Sequence, residues 1–184
     1  MGTPDDAVSG MRHRLADMKV PADASTKDKL VFGLRYAILA PSGHNTQPWR
    51  FRLADDALEL HADRRRVLPI VDPAGRELIA SCGAALFCLS LALRRLGSSP
   101  ATALFPDAEQ ADLLATVHIG GDYEPTADER AMFEAIPQRH TNRHAFEPTP
   151  VPDSVIAELA RGAAPRMPGS KRSATNLGNT PWQP

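Results

Sequence analysis

Two cysteines, two tryptophans and two tyrosines are all that this 184-residue chain holds of those types. Cys82 and Cys88 fall six apart in a helical pattern and so point to different faces. They read as reduced thiols, against a disulfide or a metal pair. An excess of charge is missing too. With 21 basic and 22 acidic residues the net charge is -1. That removes the electrostatic signal for nucleic acid or a membrane surface. No apolar run reaches the ~18 residues of a membrane span, and the N-terminal "MGTPDDAVSG" has neither the basic start nor the apolar core of a signal peptide. These absences point to a cytoplasmic location. The usual signatures of nucleophilic or nucleotide chemistry are also absent. There is no G-x-S-x-G, no G-x-G-x-x-G and no P-loop, and neither cysteine has a histidine close by in sequence.

What is present suits one domain with a real core: 42% of the residues are hydrophobic and 23% charged. A helix fits "KDKLVFGLRYAILA", with Leu30, Val31, Leu34 and Ile38 on one stripe, Ser25 or Thr26 as cap and Pro41 as stop. "WRFRL" and "LELHAD" alternate around "ADDA" as a hairpin. "VLPIVD" reads as a short strand and "DPAG" as a turn. Residues 76–97 form the longest expected helix, apolar almost all round and therefore central, with Gly97 closing it. "ATALF" and "LLATVHI" are strand candidates. "TADERAMFEAI" carries a capping box in Thr126 and Glu129. "PDSVIAELARGA" is a last short helix. The order α-β-β-α-β-β-α-α means an α+β fold: a mostly antiparallel sheet packed by helices around a long central one. From residue 165 onward Met167, Leu177 and Trp182 are the only large apolar residues, which suggests a disordered tail.

Two segments stand out. "APSGHNTQPWRF", residues 40–51, gathers Ser42, Gly43, Asn45 and Gln47 between a helix and a strand. The amides of Asn45 and Gln47 both donate and accept, and Gly43 allows close approach to the backbone. Such a set suits a flat ring with amide-like edges, as in a flavin. It equally suits a turn whose side chains satisfy their own backbone. In "QRHTNRHAF", residues 138–146, an extended chain puts Arg139, Thr141 and Arg143 on one side, a set that fits a phosphate. A solvated basic loop is the alternative. His140 and His144 would share a metal only on a helix, and no carboxylate or cysteine follows at ligand spacing, so no metal is expected. The "RRR" run at 64–66 reads as a solvated loop.

The first of these segments resembles the signature of the nitroreductase-like flavoproteins. Together with "DPAGRELIASCGAAL" at 72–86 and "RHTNRHAF" at 139–146, the pattern is similar to the actinobacterial Acg branch over about residues 28–162. The resemblance implies a nitroreductase-like fold and FMN as cofactor. It implies that Arg139, Thr141 and Arg143 grip the phosphate and ribityl chain, Thr141 replacing the usual serine. Ser42, Gly43, Asn45 and Gln47 would contact the ring, Gly43 replacing a second serine. The ring segment comes first and the phosphate segment about a hundred residues later. In ordinary nitroreductases the order is reversed and two subunits pair. Acg-like proteins resemble two such subunits fused, so one site per fused chain is implied: "RHRLADMKV" lacks the Arg-x-Thr-x-Arg spacing. The domains expected are an extension at 1–27, a first lobe at 28–125, an incomplete second lobe at 126–164 and a tail at 165–184. A truncated or frame-shifted second lobe is the expectation for that end.

The function implied is hydride transfer from NADH or NADPH through FMN to a nitro or quinone compound. The flavin would carry the chemistry, which accounts for the lack of a catalytic side chain. Partners expected are FMN, a nicotinamide donor and a second copy of the chain, with no nucleic acid and no membrane. A non-catalytic FMN-sequestering protein and an inactive fragment are the alternatives.

Overall fold

The computed structural model describes residues 20–21, 23–142 and 144–163. Most of the expected N-terminal extension, Arg143 and the expected tail lie outside the described residues. Helix α1 (Thr26–Ala37) begins at Ser25, whose hydroxyl accepts from the Asp28 amide while the Asp28 carboxylate accepts in return. It ends before Pro41, in tight turns from Leu39 to Tyr36 and Ala40 to Ala37. Its buried face differs from the expected stripe. Leu30, Phe32, Gly33, Tyr36 and Ala37 are buried, Val31 and Leu34 only partly, and Ile38 is exposed. Gly33 explains the rotation. A Cβ there would lie 2.6 Å from Leu89 Cδ1, so this face is where two helices come closest.

Strands β1 (Trp49–Ala54) and β2 (Ala57–Ala62) form the expected hairpin, pairing Trp49 with Ala62 and Ala54 with Ala57. The two-residue turn has Asp55 at φ 45°. Helix α2 (Arg76–Arg95) follows, then β3 (Ser98–Leu104) and β4 (Leu113–Asp122). The sheet is wholly antiparallel with order β1-β2-β4-β3. Two short helices complete the described residues: α3 (Ala127–Ala135) and α4 (Asp153–Ala163). This is the expected element order and an α+β fold.

Helix α2 lies between the sheet and α1. It shares one buried apolar cluster with Leu58, Leu60, Ala115 and Val117 of the central strands, and it meets α1 where Leu89 and Leu93 face Gly33. From Cys88 to Arg94 every residue is buried. Nearer its start, Ile79, Ala80, Gly83 and Phe87 leave an exposed stripe. By length and composition α2 could cross a bilayer, contrary to the expectation that no run is long enough. Its burial, 61% of the most apolar stretch, is that of a core helix. Gly97, at φ 72°, closes it as expected. The expected strand at "VLPIVD" is absent. The Asp72 amide bonds back to the Leu68 carbonyl at 2.7 Å, Ile70 and Val71 are exposed, and Pro69 has no N–H for a ladder.

Candidate functional site

The connection from α1 to β1 is a strained turn. A short 3-10 segment spans Gly43–Asn45, and His44, Asn45 and Gln47 all have left-handed φ values of 51°, 55° and 50°. Such a conformation costs about 1 kcal/mol or more for each non-glycine residue, so the surroundings must enforce it. Inside the turn, Asn45 N donates to Ser42 O and Thr46 N to Gly43 O, each at 3.0 Å, and the Thr46 hydroxyl donates to Gly43 O at 2.9 Å. Gln47 N donates to Ser42 Oγ at 2.9 Å. Outside it, Gly43 N donates to Ser81 Oγ, and Ser81 Oγ donates in turn to Glu77 O on α2. The turn's exit is tied by Asp63 N and Cys82 Sγ, both donating to Pro48 O.

All of these bonds use backbone groups, Ser42, Thr46, Ser81 or Cys82. The side chains of Asn45 and Gln47 are exposed and use none of their amide hydrogen-bonding capacity among the described residues. The self-satisfied turn therefore describes Ser42 and Thr46 but not Asn45 or Gln47. A Cβ at Gly43 would sit 2.7 Å from a Glu77 carboxylate oxygen, the far end of an exposed side chain that can swing away, so packing alone does not require glycine there. The start of α2 lies beside the turn but is not an open anion cradle. Asp72 is buried and accepts from the amides of Leu78, Glu77 and Arg76. Burial alone would raise its carboxyl pKa. Those amide bonds and the Arg76 charge outweigh it and hold the pKa below the usual carboxylate value.

The second segment follows α3. Arg139 still belongs to the helix exit, its amide donating to Ala135 O at 2.9 Å, and residues 139–142 form neither helix nor strand. Arg139 Nη1 and Thr141 Oγ1 are 3.4 Å apart, which puts these two expected site residues side by side. Three landmarks on α2 orient the segment. Arg94 meets Glu129 at the start of α3, the Arg139 charge bears on Cys88, and Ser81 meets Gly43. Cys88 and Ser81 are seven residues apart, close to two turns, so they share a face about 10 Å apart along the axis. Burial, the larger effect, pushes the thiol pKa of Cys88 up to about 11 despite Arg139, and that of Cys82 up to about 11 despite Arg64. Both cysteines are buried free thiols and unreactive near neutrality.

A groove of about 430 Å³ lies elsewhere, between Phe87 of α2, Ala131 and Met132 of α3, and Val155 and Leu159 of α4. None of the six described site residues lines it. Sequence reasoning missed Arg66, Glu77 and Ser81 as neighbours of the turn. Arg66 was hidden in a basic run, and only the fold brings that run back to residue 46. The three arginines are exposed, as expected of the run. Arg64 nevertheless pairs with Asp112, and Arg65 and Arg66 with Asp63.

No known family's sequence model matches the chain. It is 44% identical over 131 residues to "Putative NAD(P)H nitroreductase Rv3131" of Mycobacterium tuberculosis, covering 71% of this chain and 38% of that protein. It is 32% identical over 140 residues to "Putative NAD(P)H nitroreductase acg" of the same species, covering 76% of this chain and 42% of that protein. To "Probable NAD(P)H nitroreductase PigM" of Serratia sp. it is 30% identical over 132 residues, covering 68% and 36%. The chain spans about two fifths of the length of the curated relatives it matches.

Proposed function

Because the chain belongs to the nitroreductase-like family that includes Acg, we propose that it forms part of an FMN-dependent oxidoreductase taking hydride from NADH or NADPH. A nitro or quinone compound is the proposed acceptor. The observation that carries this reading is the strained turn, which holds the Asn45 and Gln47 amides outward and unbonded. A turn that only joins a helix to a strand has no need of three left-handed non-glycine residues. The side-by-side placement of Arg139 and Thr141 supports a phosphate grip, to which Arg143 adds a second guanidinium.

FMN, when bound, supplies the two-electron hydride chemistry. This chain's residues do the rest. Asn45 and Gln47 offer donors and acceptors to the polar edge of the ring, and Ser42 retains its hydroxyl proton for donation. Gly43 leaves the backbone open to close approach. Arg139 and Arg143 neutralise the phosphate, and Thr141 adds a hydroxyl. Residues 28–125 form the proposed first lobe and 126–164 the beginning of a second. A homodimer is the proposed assembly, through the exposed stripe of α2 and the apolar face of α4.

The test is a fluorescence titration with FMN and with riboflavin, which has no phosphate. Arg139→Ala is expected to weaken FMN by about tenfold to a hundredfold, on the scale of one lost charge-assisted bond. Riboflavin affinity should stay the same. Equal loss of both ligands would mean that Arg139 does not read the phosphate. A wild-type chain that binds neither flavin would end the reading.

A further inference from the structure

We propose that Arg66 is a positioning residue for the strained turn, locking the Thr46–Gln47 peptide plane in the orientation that presents Asn45 and Gln47. The inference rests on the reading of this turn as the flavin contact, but its geometry stands apart from any ligand. The Thr46 carbonyl and the Gln47 amide belong to one rigid plane. Its N–H end donates to Ser42 Oγ at 2.9 Å, and its C=O end accepts from Arg66 Nη1 at 2.8 Å. Thr46 is right-handed at φ -68° while Gln47 is left-handed at φ 50°. Rotating this plane would relieve the strain at Gln47. It would also turn the carbonyl away from Arg66 and the amide away from Ser42, so the two bonds oppose the relaxation.

Arg66 is itself held. It ends the 3-10 segment Arg64–Arg66, which Asp63 caps, and its Nε lies 3.5 Å from Asp63 Oδ2. Asp63 is buried, is also fixed by Arg65, and its amide donates to Pro48 O, the next carbonyl but one along the turn. The basic run is therefore divided in role. Arg64 and Arg65 pair with carboxylates, and Arg66 alone of the three donates to a carbonyl of the turn.

The experiment compares Arg66→Ala, Arg66→Lys and Arg64→Ala in the full chain. Amide exchange at Gln47 is read by NMR, and FMN and riboflavin affinities by fluorescence. In Arg66→Ala the Gln47 amide should exchange faster while amides of α2 keep their protection. Both flavins should weaken by the same factor, about threefold to tenfold, because the ring contact and not the phosphate is disturbed. Arg66→Lys, which keeps one donor, should recover part of both effects. Arg64→Ala removes a neighbouring charge that pairs with Asp112 and not with Asp63 or the turn, and should change neither. Unaltered Gln47 exchange in Arg66→Ala would overturn the proposal, and so would an equal effect of Arg64→Ala. A wild-type chain that binds no flavin, with Gln47 exchange still dependent on Arg66, would overturn the flavin reading and leave the clamp.

Discussion

Helix α3 buries Glu129 and rests Phe133 against Phe32 and Tyr36, whereas α4 leaves Val155, Ile156 and Leu159 open to solvent. The two are of similar length, nine and eleven residues. Both carry apolar positions at helical spacing, and α4 has the cleaner stripe. The difference lies in what meets each helix. On α3, Glu129 closes the capping box with Thr126 and also pairs with Arg94 of α2 at 2.7 Å, while the Tyr123 hydroxyl donates to it. Arg94 in turn lies over the Tyr123 ring. One carboxylate therefore starts the helix and docks it. Every side chain described in α4 is exposed, so none of its groups is buried against the rest of the fold. An amphipathic pattern states that a helix needs a partner; it does not supply one.

The strongest way to break this contrast is to remove the anchor of α3. Arg94→Leu leaves Glu129 buried without its cation and should cost about 3–5 kcal/mol in urea unfolding. Glu129→Leu should cost a similar amount. The double variant should recover much of the loss, because an apolar pair needs no compensation. If each single change costs under about 1 kcal/mol, the pair is not what docks α3.

Phe133→Ala tests the other half of the dock. Phe133 lies 4.5 Å from the Tyr36 ring centroid and 6.3 Å from that of Phe32. It is only partly buried, so the expected loss is about 2 kcal/mol, below the full core value. Because Arg139 leaves from the end of the same helix, this variant should also weaken FMN more than riboflavin.

Acid should act on α3 before it acts on α4. Burial would raise the Glu129 pKa, but the Thr126 amide, the Tyr123 hydroxyl and Arg94 outweigh it and hold it below the ordinary value. A depressed carboxyl pKa gives stability that is complete above the unfolded value and is lost as pH falls through the folded one. Asp63 behaves alike, its pKa lowered to about 2, chiefly by its bonds to Arg65. Stability should therefore fall from about pH 4 downward. Glu129→Gln should have a shallower acid limb. An unchanged slope would show that Glu129 titrates normally.

Much of this was readable from residue order. The cap of α1, the capping box of α3, the β1–β2 hairpin and the central α2 follow from local rules, since each depends on residues within a few positions. What escaped depends on distant contacts. The buried face of α1 turns to where Gly33 lets it meet Leu89. "VLPIVD" has strand composition, but a 2.7 Å bond from Asp72 to Leu68 folds it into a turn that aims Asp72 at the start of α2. The ring segment was legible as a cluster of unusual residues. Its left-handed backbone was not, because Gln47 is not a residue that favours that region and the enrichment of His and Asn there is too weak to read from one sequence. Arg66 was unreadable as part of the turn for the same reason: residues 46 and 66 meet only through the hairpin.

The smallest expected effect is on α4, and it separates the two helices most directly. Leu159 is 67% exposed and Ile156 52% exposed. Neither has a buried contact to lose, so Ile156→Ser and Leu159→Ser should each change stability by no more than about 0.5 kcal/mol. The same changes in a docked helix would cost several times that. Their effect should appear instead in association. An apolar face that includes Val155, Ile156 and Leu159, close to the exposed Phe87, favours contact between molecules. Light scattering should therefore show less self-association in the double variant Ile156→Ser/Leu159→Ser, with no shift in the unfolding midpoint. A midpoint that falls by more than about 1 kcal/mol in equivalent stability would show that α4 is docked in solution and that the contrast with α3 is false. A stable midpoint with unchanged association would place the self-associating surface away from α4, on the Ile79–Phe87 stripe of α2.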